Sequence, residues 1–245
     1  MQKIVESIRS VMRRFSPPSA GGELQYLWRL VKPLMRVFWL IWVKVFWNRW
    51  RLFVNSHKRV RKLEIGPGSA PLEGFETLDV APRLSIDYLY DASKRLPFRD
   101  NTFDFIYASH VLEHLPWFKI PQVLKEWVRV LKPGGVLEVW VPDGLKICKA
   151  FVDAEEGNNY THLNGWYRFN PDKDPCIWAS GRIYSYGDGT SALKHPNWHR
   201  ALFSPRYLKK VMEQAGLVDV EILPWEKARK PDHGWINLGA RGCKP

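Results

Sequence analysis

Residues 63–68 read LEIGPG and residues 78–80 read LDV, and these two stretches decide the fold. The first is an apolar run that ends in a glycine turn, and the second is an apolar run that ends near an acid. Glycine lets the backbone approach a ligand closely, and a carboxylate beyond the next strand accepts hydrogen bonds from two ribose hydroxyls. The pair therefore predicts neighbouring strands that hold a nucleoside cofactor.

Four further motifs follow in order, namely LPF at 96–98, FDFIY at 103–107, HVLEHL at 110–115 and LKPGG at 131–135. With the glycine turn they closely resemble the class I S-adenosylmethionine-dependent methyltransferases, specifically the short bacterial form of the type 11 family and its glycan-cluster members. The resemblance is strong over 60–142 and looser over 195–241. It implies an α/β fold with a Rossmann-like, seven-stranded, mostly parallel sheet whose last pair is antiparallel. It also implies S-adenosylmethionine as methyl donor.

The segment between the two opening stretches departs from the family pattern. Only 13 positions separate Gly66 from Asp79, whereas about 20 are expected when a full helix intervenes. Pro71 and Gly74 both oppose helix formation in this interval. A loop is therefore predicted in place of the helix, and the carboxylate end of the cofactor is expected to be held differently from the family norm.

The resemblance assigns cofactor contacts to residues near the strand ends. Glu64 would lie near the amino group of the cofactor, Asp79 would bind the ribose hydroxyls and Asp91 would contact the adenine amino group. The same pocket would be lined by Gly66, Gly68 and Ser109. The structural alternative is that these are ordinary strand, turn or helix-cap residues.

An oxygen acceptor must lose a proton during methyl transfer, and histidine suits that task. His110 is the first candidate for the catalytic base because it follows the fourth predicted strand, and Asp143 and His199 are the second candidates. The residues expected to contact the acceptor are His110, His114, His195 and His199. A turn position explains Asp143 equally well, and a surface position is the alternative for the later histidines.

Residues 110–114 also spell H-x-x-E-H, an inverted zinc-protease motif that would place two histidines on one helical face. The match is short, and the ordered methyltransferase motifs on both sides explain it better. We therefore expect no metal site here.

Composition is that of a globular enzyme, with 245 residues of which 45% are hydrophobic. The three cysteines, Cys148, Cys176 and Cys243, have neither metal nor redox spacing and indicate a reduced, cytoplasmic setting. Residues 1–19 lack the apolar core of a cleavable signal peptide.

The charge is concentrated at one end of the chain. Residues 1–62 hold 14 Lys or Arg and two acids, a net of +12, whereas the remainder holds 23 of each sign. We define residues 1–56 as the N-terminal arm and predict within it a basic, aromatic helix over about 24–54. Its longest uncharged run, Val37–Val43, is far shorter than the ~20 residues of a membrane span.

Three interpretations of the arm compete. An interfacial helix on an anionic membrane accounts for basic residues and tryptophans together, and we favour it. Packing on the catalytic domain or on a second subunit is the second interpretation. Nucleic-acid binding is the third and is disfavoured, because the neutral remainder offers no extended basic track. The expected location is therefore cytoplasmic and peripheral, on the inner face of the membrane. The oligomeric state stays open.

The methyltransferase domain is predicted over 57–245, with an acceptor-binding insertion over about 143–203 that shows no clear periodicity. Helices are predicted at 118–131 and 204–215, where Ser204 is the cap and Pro205 the first residue. Strands are predicted near 61–66, 75–80, 86–90, 103–108, 135–141, 217–223 and 234–240.

The predicted function is transfer of a methyl group to a hydroxyl of a membrane-associated glycan or lipid-linked sugar. One alternative is a methyltransferase for a quinone or another lipophilic small molecule. Another is a non-catalytic, membrane-bound module that retains the cofactor fold.

Overall fold

The computed structural model describes residues 31–33, 35, 39, 42–157, 170–184, 198–229 and 233–245. Its centre is one seven-stranded sheet. The strands are β1 (Lys62–Ile65), β2 (Glu76–Asp79), β3 (Tyr88–Leu89), β4 (Phe103–Ser109), β5 (Leu131–Pro142), β6 (Val218–Leu223) and β7 (Asn237–Cys243). The helices are α1 (Asn48–Ser56), α2 (Ile120–Val130), α3 (Gly144–Glu155), α4 (Pro175–Tyr184) and α5 (Pro205–Gln214).

The strand order is β3-β2-β1-β4-β5-β7-β6, and only β7 runs antiparallel to its neighbours. The predicted fold class is therefore confirmed. The order reverses between β1 and β4, and in open α/β sheets ligands bind outside the carboxyl ends of the strands at that point. The glycine turn after β1 and the histidine motif after β4 thus lie at the same edge of the sheet.

The fifth strand begins earlier than predicted. Leu131 already pairs with Phe103, and Val136 pairs with Phe105, so the strand spans 131–142 with an irregularity between these pairs. Gly134 has φ +73° in this irregular segment. The LKPGG motif therefore lies within the strand rather than before it.

Both predicted helices are present, as α2 and α5. Helix α2 buries Val123, Leu124, Trp127 and Val128 at helical spacing against the sheet. Ser204 caps α5, as predicted, by accepting a hydrogen bond from the Tyr207 amide at 3.3 Å.

Two helices lie in the insertion, where the sequence showed no clear periodicity. In α3 the buried residues Ile147, Ala150 and Ala154 pack with Trp178 and Ala179 of α4 in a small core of their own. Small alanines give only a weak amphipathic pattern, which is why the sequence did not reveal α3. Residues 158–169 and 185–197 of the insertion lie outside the described residues.

The predicted arm helix falls partly outside the described residues. Within them, a π-helical turn at Val43–Trp47 leads directly into α1. One face of this helix packs on the edge strand β3: Trp47 Nε1 donates to Ile86 O at 3.2 Å, and Asn55 Nδ2 donates to Tyr88 Oη at 2.8 Å. No helix among the described residues combines the length and the hydropathy that crossing a membrane requires.

The opposite face of the arm helix carries exposed aromatic side chains at steps of four, four and three residues. We call them the aromatic face: Trp42, Phe46, Trp50 and Phe53, with exposures of 43, 61, 46 and 67%. Arg51 lies on the face that packs on the domain, where it forms a largely buried ion pair with Asp87.

Candidate functional site

The glycine turn after β1 has the geometry that the sequence predicted. Gly66 and Gly68 have φ of +69° and +62°, a region that side chains rarely adopt. A Cβ on Gly66 would lie 2.5 Å from Val111 Cγ2, whereas a Cβ on Gly68 would meet nothing within 4 Å. Gly66 is therefore required for packing, while Gly68 presents open backbone to which a ligand can approach.

Glu64 lies at the base of this turn and is only 3% exposed. One carboxylate oxygen accepts a hydrogen bond from the Leu72 amide at 2.6 Å. The acid thus fixes the loop that replaces the expected helix. Its predicted contact with the cofactor's amino group is not tested.

Asp79 and Asp91 lie near the carboxyl ends of the neighbouring strands β2 and β3. Asp79 Oδ1 accepts from the Ala81 amide at 2.9 Å, and Asp91 Oδ1 accepts from the amide and hydroxyl of Ser93 at 2.9 and 2.7 Å. These bonds fix the orientation of both carboxylates. A cavity of about 380 Å³ opens beside Asp91 and is lined by Asn48, Val80, Leu89, Tyr90, Asp91 and Lys94. We call it the β3 cavity.

The residues at this edge fit a nucleoside cofactor such as S-adenosylmethionine. The backbone at Gly68 is open, and Asp91 lines a cavity of suitable size. Ser109, at the end of β4, adds a buried hydroxyl that has no hydrogen-bond partner among the described residues. Because buried polar groups are normally paired, this hydroxyl is a point at which a ligand would complete the site.

His110 follows β4 directly and has a positive φ of 53°. Its Nδ1 lies 3.0 Å from Glu113 Oε1, and its Nε2 lies 3.0 Å from Asn237 Oδ1. Both ring nitrogens thus face oxygen atoms of the protein, so neither presents a free lone pair to an acceptor. The side chain is placed at the predicted position, but its contacts favour a structural or orienting role over that of a base.

Glu113 is the centre of a histidine cluster that sequence reasoning did not single out. Its side chain is 1% exposed and faces His110, His114 and His199. Burial opposes the charged carboxylate, but the hydrogen bond from His110 and the nearby imidazoles outweigh it and hold the pKa of Glu113 below its ordinary value. The sequence feature that could have revealed this cluster is the acid between the two histidines of the HVLEHL motif.

The backbone carbonyl of Glu113 brings the end of the insertion to this cluster. It accepts from the amides of Arg200 and Ala201 at 2.6 and 3.2 Å. His199 is thereby held near His114, with ring centroids 5.0 Å apart. Only the folded chain brings these histidines together, because 85 positions separate them.

One ring nitrogen of His199 is hydrogen-bonded to the backbone, and the other is available to accept a proton. Its Nδ1 lies 3.2 Å from the carbonyl oxygen of Arg182, which fixes Nδ1 as the donor and leaves the lone pair on Nε2. Burial lowers the pKa of His199 below 6.5, against the opposing attraction of Glu113. A neutral imidazole with a fixed tautomer is the form a general base needs.

His199 also lines a second cavity of about 640 Å³, which we call the aromatic cavity. Its other lining residues are Trp117, Ile183, Tyr184, Arg200, Ala201, Leu202 and Tyr207. The lining is mostly aromatic and aliphatic, so it suits an apolar or ring-shaped ligand. Five of these residues, Ile183, Tyr184, Arg200, Ala201 and Leu202, fall within the predicted acceptor-binding insertion over about 143–203, but His199 is the lining residue that the sequence singled out.

The remaining predicted site residues are placed as follows. Asp143 is 2% exposed and caps α3 by accepting from the Lys146 amide at 3.1 Å, which accords with its structural alternative. His114 has a buried Nδ1 without a hydrogen-bond partner among the described residues. His195 lies outside the described residues.

The H-x-x-E-H motif does not form the helical face that the pattern would give. Residues Leu112–His114 form a single 3₁₀ turn, so His110 and His114 are not stacked on an α-helix. Glu113, His114 and His199 each offer a donor atom, and these atoms lie within 4.8 Å of one another. The expectation of no metal stays a prediction.

Comparison with known proteins agrees with this geometry. Residues 51–139 match the sequence model of a family described as a methyltransferase domain. A demethylmenaquinone methyltransferase from Bacillus pumilus is 42% identical over 144 residues, which cover 57% of this chain and 52% of that protein. A ubiquinone/menaquinone biosynthesis C-methyltransferase from an Enterobacter species is 32% identical over 106 residues, covering 37% of this chain and 41% of that one.

These relatives are longer than the region that matches. A sterol 4-C-methyltransferase from Caenorhabditis elegans is 36% identical over 78 residues, which are 31% of this chain and 22% of that protein. The chain thus spans between about a fifth and half of the length of the curated relatives named here. A solved methyltransferase from Thermotoga maritima is 20% identical, with a TM-score of 0.42 over 89% of this chain and 97% of that one.

The sheet order, the glycine turn and the family match together define the fold of the class I S-adenosylmethionine-dependent methyltransferases, and the resemblance to that class is confirmed. The resemblance to the glycan-cluster members stays a prediction. Residues 51–139 are the methyltransferase-domain segment of this chain. The methyl donor of this class is S-adenosylmethionine.

Proposed function

We propose that this protein transfers a methyl group from S-adenosylmethionine to a hydroxyl-bearing ring of a lipophilic acceptor at a membrane surface. The observation that carries the enzymatic part is the convergence at one sheet edge of the glycine turn, Asp79 and Asp91 beside the β3 cavity. The aromatic cavity, with His199 in its wall, supports the nature of the acceptor.

Calorimetric titration with S-adenosylhomocysteine tests the cofactor part. The wild type is expected to bind, and Asp79→Ala is expected to bind about tenfold or more weakly, because hydrogen bonds to a charged group are lost. Asp104→Ala is the matched control, since Asp104 pairs with Lys132 at the start of β4, away from the carboxyl ends of the strands. Wild-type protein without any binding would refute the proposal.

The chemistry needs an acceptor that is positioned and deprotonated. Bound S-adenosylmethionine supplies an electrophilic methyl group, so placing the acceptor oxygen in line with it provides much of the acceleration. His199 Nε2 takes the proton from the acceptor hydroxyl. Its fixed tautomer and its lowered pKa keep it neutral and ready to do so at neutral pH.

A quinol is the acceptor class that the aromatic cavity supports best. Ile183, Leu202 and Tyr207 offer apolar surface that a flat ring or an isoprenoid chain would cover. Two relatives are named as a demethylmenaquinone methyltransferase and a ubiquinone/menaquinone biosynthesis C-methyltransferase, which agrees with a quinol as the acceptor class. The second name specifies transfer to carbon, whereas we propose transfer to oxygen. A transfer assay with radiolabelled methyl groups and purified demethylquinols should give labelled product.

A lipid-linked glycan is the second candidate. Trp117 and Tyr184, at the same cavity, are 65 and 60% exposed and offer aromatic faces on which a sugar ring can stack. Label appearing in a glycolipid fraction, but not in the quinol, would favour this acceptor. Binding of S-adenosylhomocysteine without turnover on either fraction would favour the non-catalytic alternative.

The arm supports the proposed membrane surface. The aromatic face of the helix is exposed, and residues 1–62 carry a net charge of +12 that complements anionic lipid. A triple change of Trp42, Phe46 and Phe53 to Ser should abolish sedimentation with anionic vesicles. Phe118→Ser removes an equally exposed aromatic side chain elsewhere and should leave sedimentation unchanged. Equal sedimentation of the triple variant and the wild type would refute the membrane proposal.

A further inference from the structure

We propose that the arm helix is a wall of the cofactor site and that Asn48 is a cofactor-binding residue outside the methyltransferase motifs. The proposal rests on the function proposed above, because it takes the β3 cavity as the place where the nucleoside binds. It also assigns the C-terminal end of the arm to the cofactor site, so that this end is not a separate appendage.

Asn48 is buried at the junction between the arm and the sheet. Its side chain is 6% exposed. Its Oδ1 accepts from the Leu89 amide at 3.1 Å, and its Nδ2 donates to the Leu89 carbonyl at 3.2 Å. Strand β3 is an edge strand of two residues, so the Asn48 amide supplies the partners that a further strand would otherwise provide.

Asn48 is also one of the residues that line the β3 cavity, together with Asp91. Asn48 comes from the arm, whereas Val80, Leu89, Tyr90, Asp91 and Lys94 follow or belong to β2 and β3. The wall is therefore built from two parts of the chain about 40 residues apart. A nucleoside that contacts Asp91 in this cavity would also contact the arm helix.

The helix is held in this position by contacts on either side of Asn48. Trp47 donates to the Ile86 carbonyl, and Arg51 pairs with the largely buried Asp87. The π-helical turn ends at Trp47, immediately before Asn48. Wide turns of this kind occur often at functional sites, where they re-aim a side chain.

A consequence follows from linkage. A ligand that binds only when the helix is docked must also stabilise the docked helix, because coupling between two equilibria is reciprocal. Cofactor binding is therefore expected to slow local opening of α1, even though most of this helix lies outside the cavity.

Paired asparagine variants test the proposal. Asn48 and Asn55 are both buried in α1 and both bind β3 residues, but only Asn48 lines the cavity. Asn48→Ala is expected to weaken S-adenosylhomocysteine binding about tenfold, and Asn55→Ala to change it less than about twofold. Circular dichroism and thermal unfolding would establish that both variants are folded.

Hydrogen exchange of the wild type gives a readout that needs no variant. Addition of S-adenosylhomocysteine should slow exchange of the amides in Asn48–Ser56. Unchanged exchange, unchanged affinity of a folded Asn48→Ala, or equal losses in both variants would overturn the assignment. These outcomes leave wild-type binding intact, whereas absence of wild-type binding would refute the proposed function and this assignment together.

Discussion

The two ends of the candidate site lie along one sheet edge but are built in different ways. The cofactor end uses Glu64, the glycine turn, Asp79 and Asp91, all within 28 consecutive positions. The acceptor end joins His110, Glu113 and His199 with Asn237, so it spans more than 120 positions. The cofactor, which a whole family shares, is bound by motifs that are local in the sequence. The acceptor is contacted by residues that only the tertiary fold brings together.

The largest expected effect is the loss of turnover when His199, the proposed base at the acceptor end, is replaced. His199→Ala should lower kcat by about 10²–10⁴-fold, the usual contribution of a general base, and leave S-adenosylhomocysteine affinity unchanged. Steady-state kinetics and calorimetry on the same preparation measure the two quantities. His57→Ala is the control, because His57 is an exposed histidine that directly follows the arm. Full turnover by His199→Ala would return the role of base to His110.

The pH profile of the wild type tests the same assignment. Because burial lowers the pKa of His199, its neutral form persists below pH 6.5. The acidic limb of kcat/KM should therefore fall below that value. A limb at higher pH would mean that another group is the base.

The second effect distinguishes the packing role of Gly66 from the ligand-binding role of Gly68 at the cofactor end. Gly66→Ala combines a left-handed φ with a contact to Val111 and should lower the free energy of unfolding by more than the ~1–2 kcal/mol of strain alone. Gly68→Ala introduces only the backbone strain, because its Cβ would meet no protein atom. It should nevertheless lower cofactor affinity, since the added Cβ would occupy the open space in which the cofactor approaches the backbone. Urea unfolding and calorimetry distinguish them. Equal stability of both variants would contradict the packing role of Gly66.

The smallest effect concerns Glu113. Glu113→Gln should lower the free energy of unfolding by about 1–3 kcal/mol at pH 7, because a buried charged acceptor is replaced. The folded-state pKa of Glu113 is depressed, so its contribution is present above its unfolded-state pKa, ordinarily 4.5, and is lost as pH falls through the folded-state value. Urea unfolding of both proteins from pH 7 to pH 3 should show a constant difference down to about pH 4.5 and a shrinking difference below it. A difference that grows with acidity would contradict this sign.

Sequence-based prediction succeeded for elements encoded by local patterns and failed for features that depend on tertiary contacts. The seven strands and the helices α2 and α5 were predictable, because each combines an apolar period with a local cap or turn. Helix α3 was missed because alanines at 150 and 154 provide contact without a strong pattern. The face of the arm helix that meets the domain was not predictable, because periodicity gives the relative angle of side chains around a helix but not which side the domain occupies.

The sequence by itself determined the class of fold and the cofactor end, since glycine conformation, strand periodicity and an acid after a strand are local properties of the chain. The tertiary structure alone decided which face of the arm helix is exposed, which histidine keeps a free ring nitrogen and which residues line the aromatic cavity. Those features depend on contacts between residues 17 to 127 positions apart, from His199 with Arg182 to His110 with Asn237. A linear pattern does not encode such distances, because they are set by how the whole sheet and its insertion pack.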